Sequence, residues 1–527
     1  MLYRKLRAYA AMILVAVAVA PLESPSQTSK KKQTTSAARK RAAAKKRPVK
    51  RPVKKPVRKR AARRAPAIPV VLATSPRSAG ALSADMASMA GRIRSGRFGI
   101  MAISLTRGDT LFAHNAGVPL MPASTMKMLT SAAAFERLGP GYQFSTDVLY
   151  DGTLGADGTL SGNVYLRGDG DPSLSGRYLT GGPDAPMIIL ADQLASRGVK
   201  RITGEIVGDA SAFDDAKIPE GWLTRYLQSG YAARVSGLTL NENLVWVTIT
   251  SSGVKLEPAT SAIPLTSNVR TVPGGGASLS IRRQTNGAIN VTGRIGSRSP
   301  SRRYVYVVED PAPFTTGSLR ANLIAKGIQV DGGIRLGRTP SSAVKIASIQ
   351  SPTLDRIVAA MNRESINIYA ELLLRNAARG TQRDQQGTMA NSQTLLRKFF
   401  ADKIGGDTTL LHVADGSGLS TLDRITPRAM TRMLGYAHRA SWGPWFHSSL
   451  PVAGESELLR RRMRGGAAQG NLHAKTGTTN DIVALGGYVT AVNGEVIAFT
   501  FIYNGADRWI AKSMIDVMGQ TLANFAR

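Results

Sequence analysis

The amino-acid sequence predicts an α/β fold of the α+β kind, in which one body of helices and strands carries nested β-rich insertions. Three features lead to this prediction: a helical segment at residues 121–139, a strand hairpin and closing helix at residues 482–526, and a long run of β-like segments between them. With 527 residues, the chain is too long for one ordinary domain. Its hydrophobic content of 43% is sufficient for a packed core.

The first twenty residues are typical of an export signal. A basic segment at residues 1–7 precedes 13 mostly apolar residues at 8–20, fewer than the ~20 residues that a membrane-spanning helix needs. Small side chains at Ala16 and Ala18 favour cleavage after Ala18. We therefore expect residues 1–20 to be a signal peptide that directs the chain to the periplasm or cell envelope. An uncleaved segment that holds the protein at the membrane is the alternative.

Residues 21–72 are predicted to be a disordered basic tether. Residues 30–64 contain 18 Lys/Arg and no acid, and repeated prolines interrupt any helix. Of the formal net charge of +34, the first 66 residues contribute +20, which leaves a moderately basic body. Two interpretations stay open: a solvated spacer with weak polyanion contacts, or attachment to anionic envelope polymers. The export signal argues against nucleic acid as the partner.

The folded part is predicted to begin near residue 79. Apolar residues at helical spacing predict a helix within residues 80–96. Residues 98–115 have the pattern of two strands around a turn at Arg107-Gly108-Asp109. The helical segment at residues 121–139 follows.

The predicted insertion covers residues 146–339, where short β-like runs alternate with Gly, Asp and Asn turns. Helical periodicity returns at residues 351–379, and an Asn493-Gly494 pair predicts the turn of the late hairpin. We therefore expect one domain split into residues 73–145 and 340–527, interrupted by β-rich insertion domains.

Ser124 and Lys127 form the first candidate reactive pair. Because they are three residues apart in an apolar segment, both side chains lie on one face of a helix. Burial lowers the pKa of a lysine, whose neutral amine can then remove the proton of a serine nucleophile. The spacing alone is weak, since Ser29 and Lys32 match it within the basic tail. On spacing alone, a surface serine beside a solvated lysine is the better interpretation.

Two further motifs add to this pair. Ser365 and Asn367 stand where one predicted helix ends and another begins, a place from which polar side chains reach a cleft; a helix cap is the alternative. Lys475-Thr476-Gly477 leads into the late hairpin, and a strand-borne lysine beside glycine offers a cation with room for a substrate backbone. A plain turn before the hairpin is the alternative there.

The order Ser-x-x-Lys, Ser-x-Asn, Lys-Thr-Gly resembles penicillin-binding proteins and serine β-lactamases. The surrounding segments "LRGDGDPSL", "ADGSGLSTLDRITP" and "AKTGTTNDIVALGGYV" look like those of the D-alanyl-D-alanine carboxypeptidase/endopeptidase family, the low-molecular-mass class C penicillin-binding proteins. The resemblance runs from about Ala79 to the C-terminus. It implies a serine β-lactamase/transpeptidase-like catalytic domain, an antiparallel sheet flanked by helices, with two nested β-rich insertion domains.

The resemblance also implies a role for each catalytic residue. Ser124 attacks the carbonyl group of the penultimate D-alanine in a peptidoglycan stem peptide, and Lys127 is the general base. Ser365 relays a proton to the leaving amine, and Asn367 binds the substrate amide. Lys475 belongs to the same catalytic set and holds the terminal carboxylate.

Substrate binding is implied for Thr476, Gly477 and Thr478. Thr476 helps Lys475 to hold the carboxylate, and the backbone N–H groups of Ser124 and Thr478 form an oxyanion hole. β-Lactam antibiotics are the implied inhibitors, acylating Ser124 and leaving slowly. The implied activity is that of an exported D-Ala-D-Ala carboxypeptidase, a DD-endopeptidase, or both.

One segment departs from the family pattern. Family members carry an acid a few positions after the Gly221-Trp222 pair, which reads a cationic group on the stem peptide. This chain has Leu223-Thr224-Arg225-Tyr226 there. Recognition of a free amine on the substrate therefore does not follow from the resemblance.

The remaining polar residues give no sign of a cofactor. Asp415 is interpreted as holding a turn rather than as catalytic. The five histidines, among them His412, His447 and His473, lack metal-ligand spacing, so we expect no metal and no cofactor. The chain has no cysteine and therefore neither disulfides nor thiol chemistry.

Two other functions compete with the peptidase. A serine β-lactamase shares the three motifs, but it is expected to have a compact insertion and a deacylating glutamate on a loop. A cell-wall-binding protein with a residual peptidase fold would depend on the basic tail instead of Ser124. The intact motifs favour the peptidase.

Overall fold

The computed structural model describes residues 71–284, 287–382 and 385–527. The predicted signal peptide and residues 21–70 of the predicted tether lie outside the described residues. Ten α-helices occur in the described part, and α1–α10 are, in chain order, Ala79–Ala90, Met126–Leu138, Ala185–Ser196, Pro311–Ala325, Leu354–Glu364, Asn367–Arg379, Met389–Phe399, Pro427–Arg439, Gly443–Ser449 and Arg508–Ala523. Within the same ranges, no helix has both the length and the hydropathy needed to cross a membrane.

Twenty β-strands occur in the described residues. In chain order, β1–β20 are Arg97–Ser104, Thr110–His114, Ser145–Tyr150, Thr153–Leu154, Thr159–Ser161, Val164–Gly168, Arg201–Ile202, Ile206–Asp209, Leu244–Thr250, Gly253–Glu257, Leu265–Val272, Ala277–Arg283, Ile289–Gly296, Arg302–Val307, Gln329–Val330, Ile334–Leu336, Val344–Gln350, His473–Thr478, Ile482–Thr490 and Val496–Asn504. The predicted early hairpin corresponds to β1 and β2, and the predicted late hairpin to β19 and β20.

A five-stranded antiparallel sheet in the order β18-β19-β20-β1-β2 joins the early and late parts of the chain. Successive side chains of a strand point to opposite faces, so both faces of this apolar sheet need a cover. Leu485 and Phe499 pack with α1 and α10 on one face, whereas Ala484 and Ile502 pack with α2, α6 and α8 on the other. Helices on both sides of the sheet confirm the predicted α/β fold.

The insertion follows α2 and contains four smaller sheets. Their strand orders are β16-β8-β6-β3-β17, β15-β7-β5-β4, β10-β9-β14 and β11-β13-β12. β3 pairs with β17, from Ser145 opposite Gln350 to Tyr150 opposite Val344, so that the strands at the two ends of the insertion close its largest sheet. The boundaries proposed from the sequence, 146 and 339, stay a prediction.

Two helices within the insertion were not predicted. Both α3 and α4 bury apolar side chains, among them Leu190 and Leu319, in a core shared with the surrounding strands. The sequence of α4 begins Pro-Ala-Pro-Phe-Thr-Thr-Gly, which has low intrinsic helix propensity. For α4, packing against the sheet rather than propensity therefore decides that the segment is helical.

Candidate active site

Ser124 lies directly before α2. The sequence predicts this residue in the first turn of the helix. The structure refines this position, because Ala123–Thr125 form a 3₁₀ turn from which the α-helix continues. Ala123 has φ of +47°, a left-handed conformation that side chains other than glycine rarely adopt. A Cβ atom at Gly418 would lie 1.8 Å from the Ala123 carbonyl oxygen. The glycine therefore allows a later loop to pack directly against the serine turn.

Lys127 is fully buried and makes three polar contacts. Its Nζ lies 3.1 Å from Oγ of Ser124, 2.6 Å from Oδ1 of Asn367 and 2.8 Å from the carbonyl oxygen of Ser417. Burial lowers the pKa of Lys127 to about 8, against the opposing effect of nearby carboxylates. At neutral pH a fraction of about one tenth is then the free amine, which is the form that can accept the serine proton.

Three buried carboxylates lie close enough to Lys127 to interact with it by charge. Glu371 accepts hydrogen bonds from the N–H groups of Gly416 and Ser417, at 3.1 and 2.9 Å, and fixes the loop whose carbonyl group holds Lys127. Burial and the charge of Asp415 raise the pKa of Glu371 to about 7. Burial, followed by the same charge, raises the pKa of Asp423 well above its usual range. Asp415, Glu371 and Asp423 each act on the Lys127 ammonium by charge attraction.

Asp415 holds a turn, as the sequence interpretation proposes. It accepts hydrogen bonds from the backbone N–H groups of Ser417, Gly418 and Ser420. It also accepts one from the indole N–H of Trp222, at 2.7 Å. The buried carboxylate therefore ties the glycine-rich loop of the catalytic domain to the insertion.

Ser365 and Asn367 occupy the break between α5 and α6. Ser365 has φ of +60° and ψ of +43°, the left-handed conformation that ends α5. Asn367 is the first residue of α6, and its side-chain amide donates to the Tyr231 carbonyl oxygen at 2.9 Å while its oxygen faces Lys127. The break turns both side chains towards the cleft.

Lys475 approaches the cleft from β18, the edge strand of the central sheet. Its Nζ lies 2.9 Å from Oγ of Ser365 and 2.9 Å from the carbonyl oxygen of Thr476. Burial, and to a lesser extent the charge of Lys127, hold the pKa of Lys475 well below its usual range. Within the described residues Lys475 has no ion pair, so the site presents an unpaired amine to an anionic ligand.

The rest of the motif lines the same edge strand. Thr476 is nearly buried and Thr478 is exposed at the end of β18. A Cβ atom at Gly477 would lie 2.7 Å from the Pro122 carbonyl oxygen, so only glycine lets the strand pack this closely to the serine turn. The structure thus places the five predicted catalytic residues in two hydrogen-bonded sets at one cleft, Ser124-Lys127-Asn367 and Ser365-Lys475, whose lysines interact by charge. The three predicted substrate-binding residues lie on the same strand as Lys475.

Some residues of the site were not predicted. Glu371, Asp423 and the Ser417 carbonyl group are all part of the environment of Lys127. Glu371 follows Asn367 by four residues on α6, so helical spacing could have identified it. The contact between Lys127 and Ser417 joins segments 290 residues apart in the sequence, and no local pattern reports it.

The segment that departs from the family pattern lies near Asn367. Tyr231, whose carbonyl group accepts from Asn367, packs its ring edge-on against Tyr226 with centroids 5.9 Å apart. The guanidinium of Arg225 lies 5.1 Å from the Tyr226 ring centroid. In the described residues no group of three or more His, Cys, Asp or Glu side chains is arranged to hold a metal ion.

A serine beside a buried lysine of lowered pKa, with a second buried lysine across the cleft, defines a class of enzyme. It is the class of serine acyl-transfer enzymes that use lysine as the base, on a sheet covered by helices. The cleft holds a serine hydroxyl group, a buried lysine amine of lowered pKa and a second buried lysine.

Comparison with known proteins gives the family. The model of the D-Ala-D-Ala carboxypeptidase 3 (S13) family matches residues 81–525. A D-alanyl-D-alanine carboxypeptidase of Actinomadura sp. (strain R39) is 30% identical over 450 residues, which cover 81% of each chain. The D-alanyl-D-alanine carboxypeptidase DacB of Haemophilus influenzae is 25% identical over 424 residues, or 77% of this chain and 85% of that protein. The chain belongs to the D-Ala-D-Ala carboxypeptidase 3 (S13) family, which confirms the resemblance and the predicted kind of enzyme.

Solved structures agree on the fold. Penicillin-binding protein 4 (dacB) of Haemophilus influenzae superposes with a TM-score of 0.69 at 22% identity, over 84% of this chain and 98% of that one. Its complex with a β-lactam superposes with a TM-score of 0.66 at 20% identity, over 83% of this chain and 99% of that one. The predicted penicillin-binding-protein-like fold is therefore confirmed.

Proposed function

We propose that this protein is an exported serine-type D-Ala-D-Ala peptidase that cleaves peptidoglycan stem peptides or their cross-links through an acyl-enzyme on Ser124. Membership of the S13 family supports the kind of reaction. The observation that carries the residue assignment is the contact of 3.1 Å between Nζ of the fully buried Lys127 and Oγ of Ser124.

Acylation begins when Ser124 Oγ attacks the carbonyl carbon of the penultimate D-alanine. The neutral amine of Lys127 accepts the hydroxyl proton as the new C–O bond forms. The backbone N–H groups of Ser124 and Thr478 stabilise the oxyanion, a contribution that is worth about 3–4 kcal/mol per donor in other enzymes. Asn367, whose side chain is held by Lys127 and the Tyr231 carbonyl group, positions the substrate amide.

Collapse of the intermediate breaks the C–N bond and releases an amine. The leaving nitrogen needs a proton. The proton that Lys127 took from Ser124 passes to this nitrogen through the Ser365 hydroxyl group, which lies 2.9 Å from the amine of Lys475, and Lys127 is again the neutral amine. A water molecule then attacks the ester and gives a proton to Lys127, which passes this proton to Oγ of Ser124 as the acyl group leaves. The same steps release a terminal D-alanine from a stem peptide or the amino group of a cross-linking residue.

Lys475 and Thr476 recognise the terminal carboxylate of the substrate. The unpaired amine of Lys475 is desolvated, so an entering carboxylate supplies the partner that the free site lacks. A charge-assisted hydrogen bond in such a dry site is stronger than one in water. Substrates that lack the carboxylate should therefore react more slowly.

β-Lactams should acylate the same serine. Their strained amide offers Ser124 a carbonyl carbon, and their carboxylate suits the Lys475 pocket. The β-lactam complex of the Haemophilus protein, which shares the fold, supports this proposal by analogy. For the location of the enzyme, the export-type pattern in residues 1–20 supports the periplasm or cell envelope, and sequencing of the N-terminus of the mature protein tests cleavage after Ala18.

The test of the activity is mass spectrometry of purified peptidoglycan treated with the protein. Loss of one terminal alanine residue from pentapeptide stems indicates carboxypeptidase activity, and conversion of cross-linked dimers to monomers indicates endopeptidase activity. The Ser124→Ala variant is the matched control and should leave both species unchanged. Unchanged peptidoglycan with the wild-type protein would refute the proposal.

A further inference from the structure

The sheet β11-β13-β12 of the insertion presents one face to the core and the other to solvent. Its inner side chains include Val291 and Ile295, which are fully buried, and Leu265, Leu279 and Ile281, which pack against the same core. Since side chains alternate along a strand, the residues between them form the outer face. The strands are aligned in register, so the outer residues form rows across the sheet.

The outer face is a polar grid of nine residues in three rows. The rows are Thr266-Asn290-Arg282, Asn268-Thr292-Ser280 and Arg270-Arg294-Ser278. None of the nine side chains is acidic or apolar, and Val272, two residues after Arg270, lies at the edge of the same face. The three arginines are all exposed, and the row of Arg282 lies ~13 Å from the row of Arg270 along the strands.

All Lys, Arg, Asp and Glu residues in the segment that contains this sheet are arginines. Residues 258–308 contain seven arginines and no Asp, Glu or Lys. Arg283 and Arg303 form ion pairs with Glu309 and Glu257. Within the described residues, the side chains of Arg270, Arg282 and Arg294 form neither an ion pair nor a hydrogen bond.

Arg270 and Arg294 are direct neighbours across the β11–β13 pair. Like charges directly opposite each other on a sheet are destabilising, so this arrangement is costly for the isolated protein. Arg298 adds a further exposed cation, because its N–H group bonds the Gly274 carbonyl oxygen at the same end of the sheet. A bound anion between these side chains would remove the repulsion.

We propose that this arginine face is an accessory surface that binds the carboxylate-bearing peptidoglycan polymer, away from the catalytic cleft. The inference rests on the proposed function, since it identifies the ligand as the polymer whose peptides the enzyme cleaves. Stem peptides end in carboxylates and repeat along a glycan, and a cluster of unpaired positive side chains attracts such anions by its charge. Hydroxyl and amide side chains between the arginines suit a hydrated polymer, and the single apolar side chain at the edge, Val272, is too little for insertion into a lipid surface.

The experiment compares four full-length proteins for co-sedimentation with purified peptidoglycan freed of phosphate-containing polymers. All carry Ser124→Ala, so the polymer stays intact. One has no other change, one carries Arg270→Thr, Arg282→Thr and Arg294→Thr, and one replaces the same arginines with lysine. The fourth carries Arg460→Thr, Arg461→Thr and Arg464→Thr, three exposed arginines elsewhere, which gives the same change of net charge. The basic tail is present in all four and contributes equally.

We expect the threonine variant of the arginine face to lose roughly tenfold in affinity at physiological salt, from several weak ion contacts together. The lysine variant should keep most of the binding, and the Arg460–Arg464 control should change by less than about twofold. Equal binding of the threonine variant and that control would overturn the proposal. So would a lysine variant as weak as the threonine variant, since the loss would then not depend on charge.

Two further arms separate the alternatives. Vesicles of phosphatidylglycerol should bind the threonine variant and the Arg460–Arg464 control equally, and a loss seen only on vesicles would assign the face to lipid instead. In proteins that retain Ser124, the three Thr substitutions should leave the hydrolysis of a short soluble D-Ala-D-Ala peptide unchanged, because the arginine face is outside the cleft. If that peptide is not cleaved by the wild-type protein, the proposed function fails while the binding result stands separately.

Discussion

Lys127 and Lys475 are both fully buried at one cleft, yet their surroundings are opposite. Lys127 is backed by Glu371, Asp415 and Asp423, which partly offset the effect of burial and leave its pKa at about 8. Lys475 has hydroxyl and carbonyl partners but no carboxylate, and the charge of Lys127 lowers its pKa further. In the proposed mechanism, this difference lets one residue type perform two tasks: Lys127 exchanges a proton near neutral pH, and Lys475 binds the carboxylate of the substrate.

The largest effect should come from Lys127→Ala, which removes the base. We expect acylation by a fluorescent penicillin to slow by about 10³-fold or more, because the Ser124 hydroxyl group is then a weak nucleophile. The matched control is Lys255→Ala at an exposed lysine of the insertion, which should react as the wild type does. A loss of less than tenfold in the Lys127 variant, with the fold intact by circular dichroism, would assign the base to another group.

Lys475→Ala should reduce kcat/KM for a D-Ala-D-Ala peptide by about 10²-fold, through loss of a desolvated charge-assisted contact. The same peptide with its C-terminus amidated lacks the carboxylate, so the substitution should reduce kcat/KM for this peptide far less. A steady-state comparison of both peptides with both proteins measures the difference. Equal losses for the two peptides would mean that Lys475 does not read the carboxylate.

The pH dependence of the wild-type enzyme follows from the state of Lys127. Because the base must be the neutral amine, kcat/KM for the amide-terminated peptide should fall about tenfold per pH unit below its pKa of about 8 and level off above it. With the acid-terminated peptide, loss of the Lys475 proton should oppose this rise, because Lys475 must be protonated to hold a carboxylate and burial lowers its pKa well below the usual range. Rates with both peptides from pH 5 to 10 check this. A rate for the amide-terminated peptide that is independent of pH between 6 and 8 would contradict the role of Lys127.

Glu371→Gln should have the smallest effect on the rate. Its charge raises the pKa of Lys127, so the substitution should shift the acid limb of the pH profile to lower pH, while the amide oxygen still accepts from the 416–417 loop. Glu364→Gln, at an exposed carboxylate at the end of α5, is the control that should leave the profile unchanged. A shift towards higher pH in the Glu371 variant would show that the carboxylate does not act on Lys127 by its charge.

The substitution at Glu371 should also destabilise the fold. Arg375 is fully buried against Glu371, and an unpaired buried charge costs about 3–5 kcal/mol. Thermal unfolding should therefore show a lower Tm than for Glu364→Gln. An unchanged Tm would mean that the pair is compensated by other contacts.

The parts of the site that were predictable are the local ones. Ser124 and Lys127 share a helix face, Ser365 and Asn367 flank a helix break, and Lys475 stands just before the late hairpin, so each pattern is contained within a few residues. The central sheet was likewise indicated by runs of apolar residues and by the Asn493-Gly494 turn.

The parts that were not predictable depend on tertiary contacts. The contact of Lys127 with the Ser417 carbonyl group and the buried carboxylates appear only when distant loops meet. Helix α4 begins with residues of low helix propensity and is helical because of its packing. The grid on β11-β13-β12 needs the strand register, since the sequence shows arginines but not which of them are neighbours.

The contrast between the two lysines depends on Ser124 being the residue that Lys127 activates. The most direct test is intact-protein mass spectrometry after exposure to benzylpenicillin, followed by peptide mapping. We predict one covalent adduct with the mass of the antibiotic, located on Ser124, and no adduct in the Ser124→Ala variant. An adduct on another residue, or labelling of Ser124→Ala at the wild-type rate, would contradict the account.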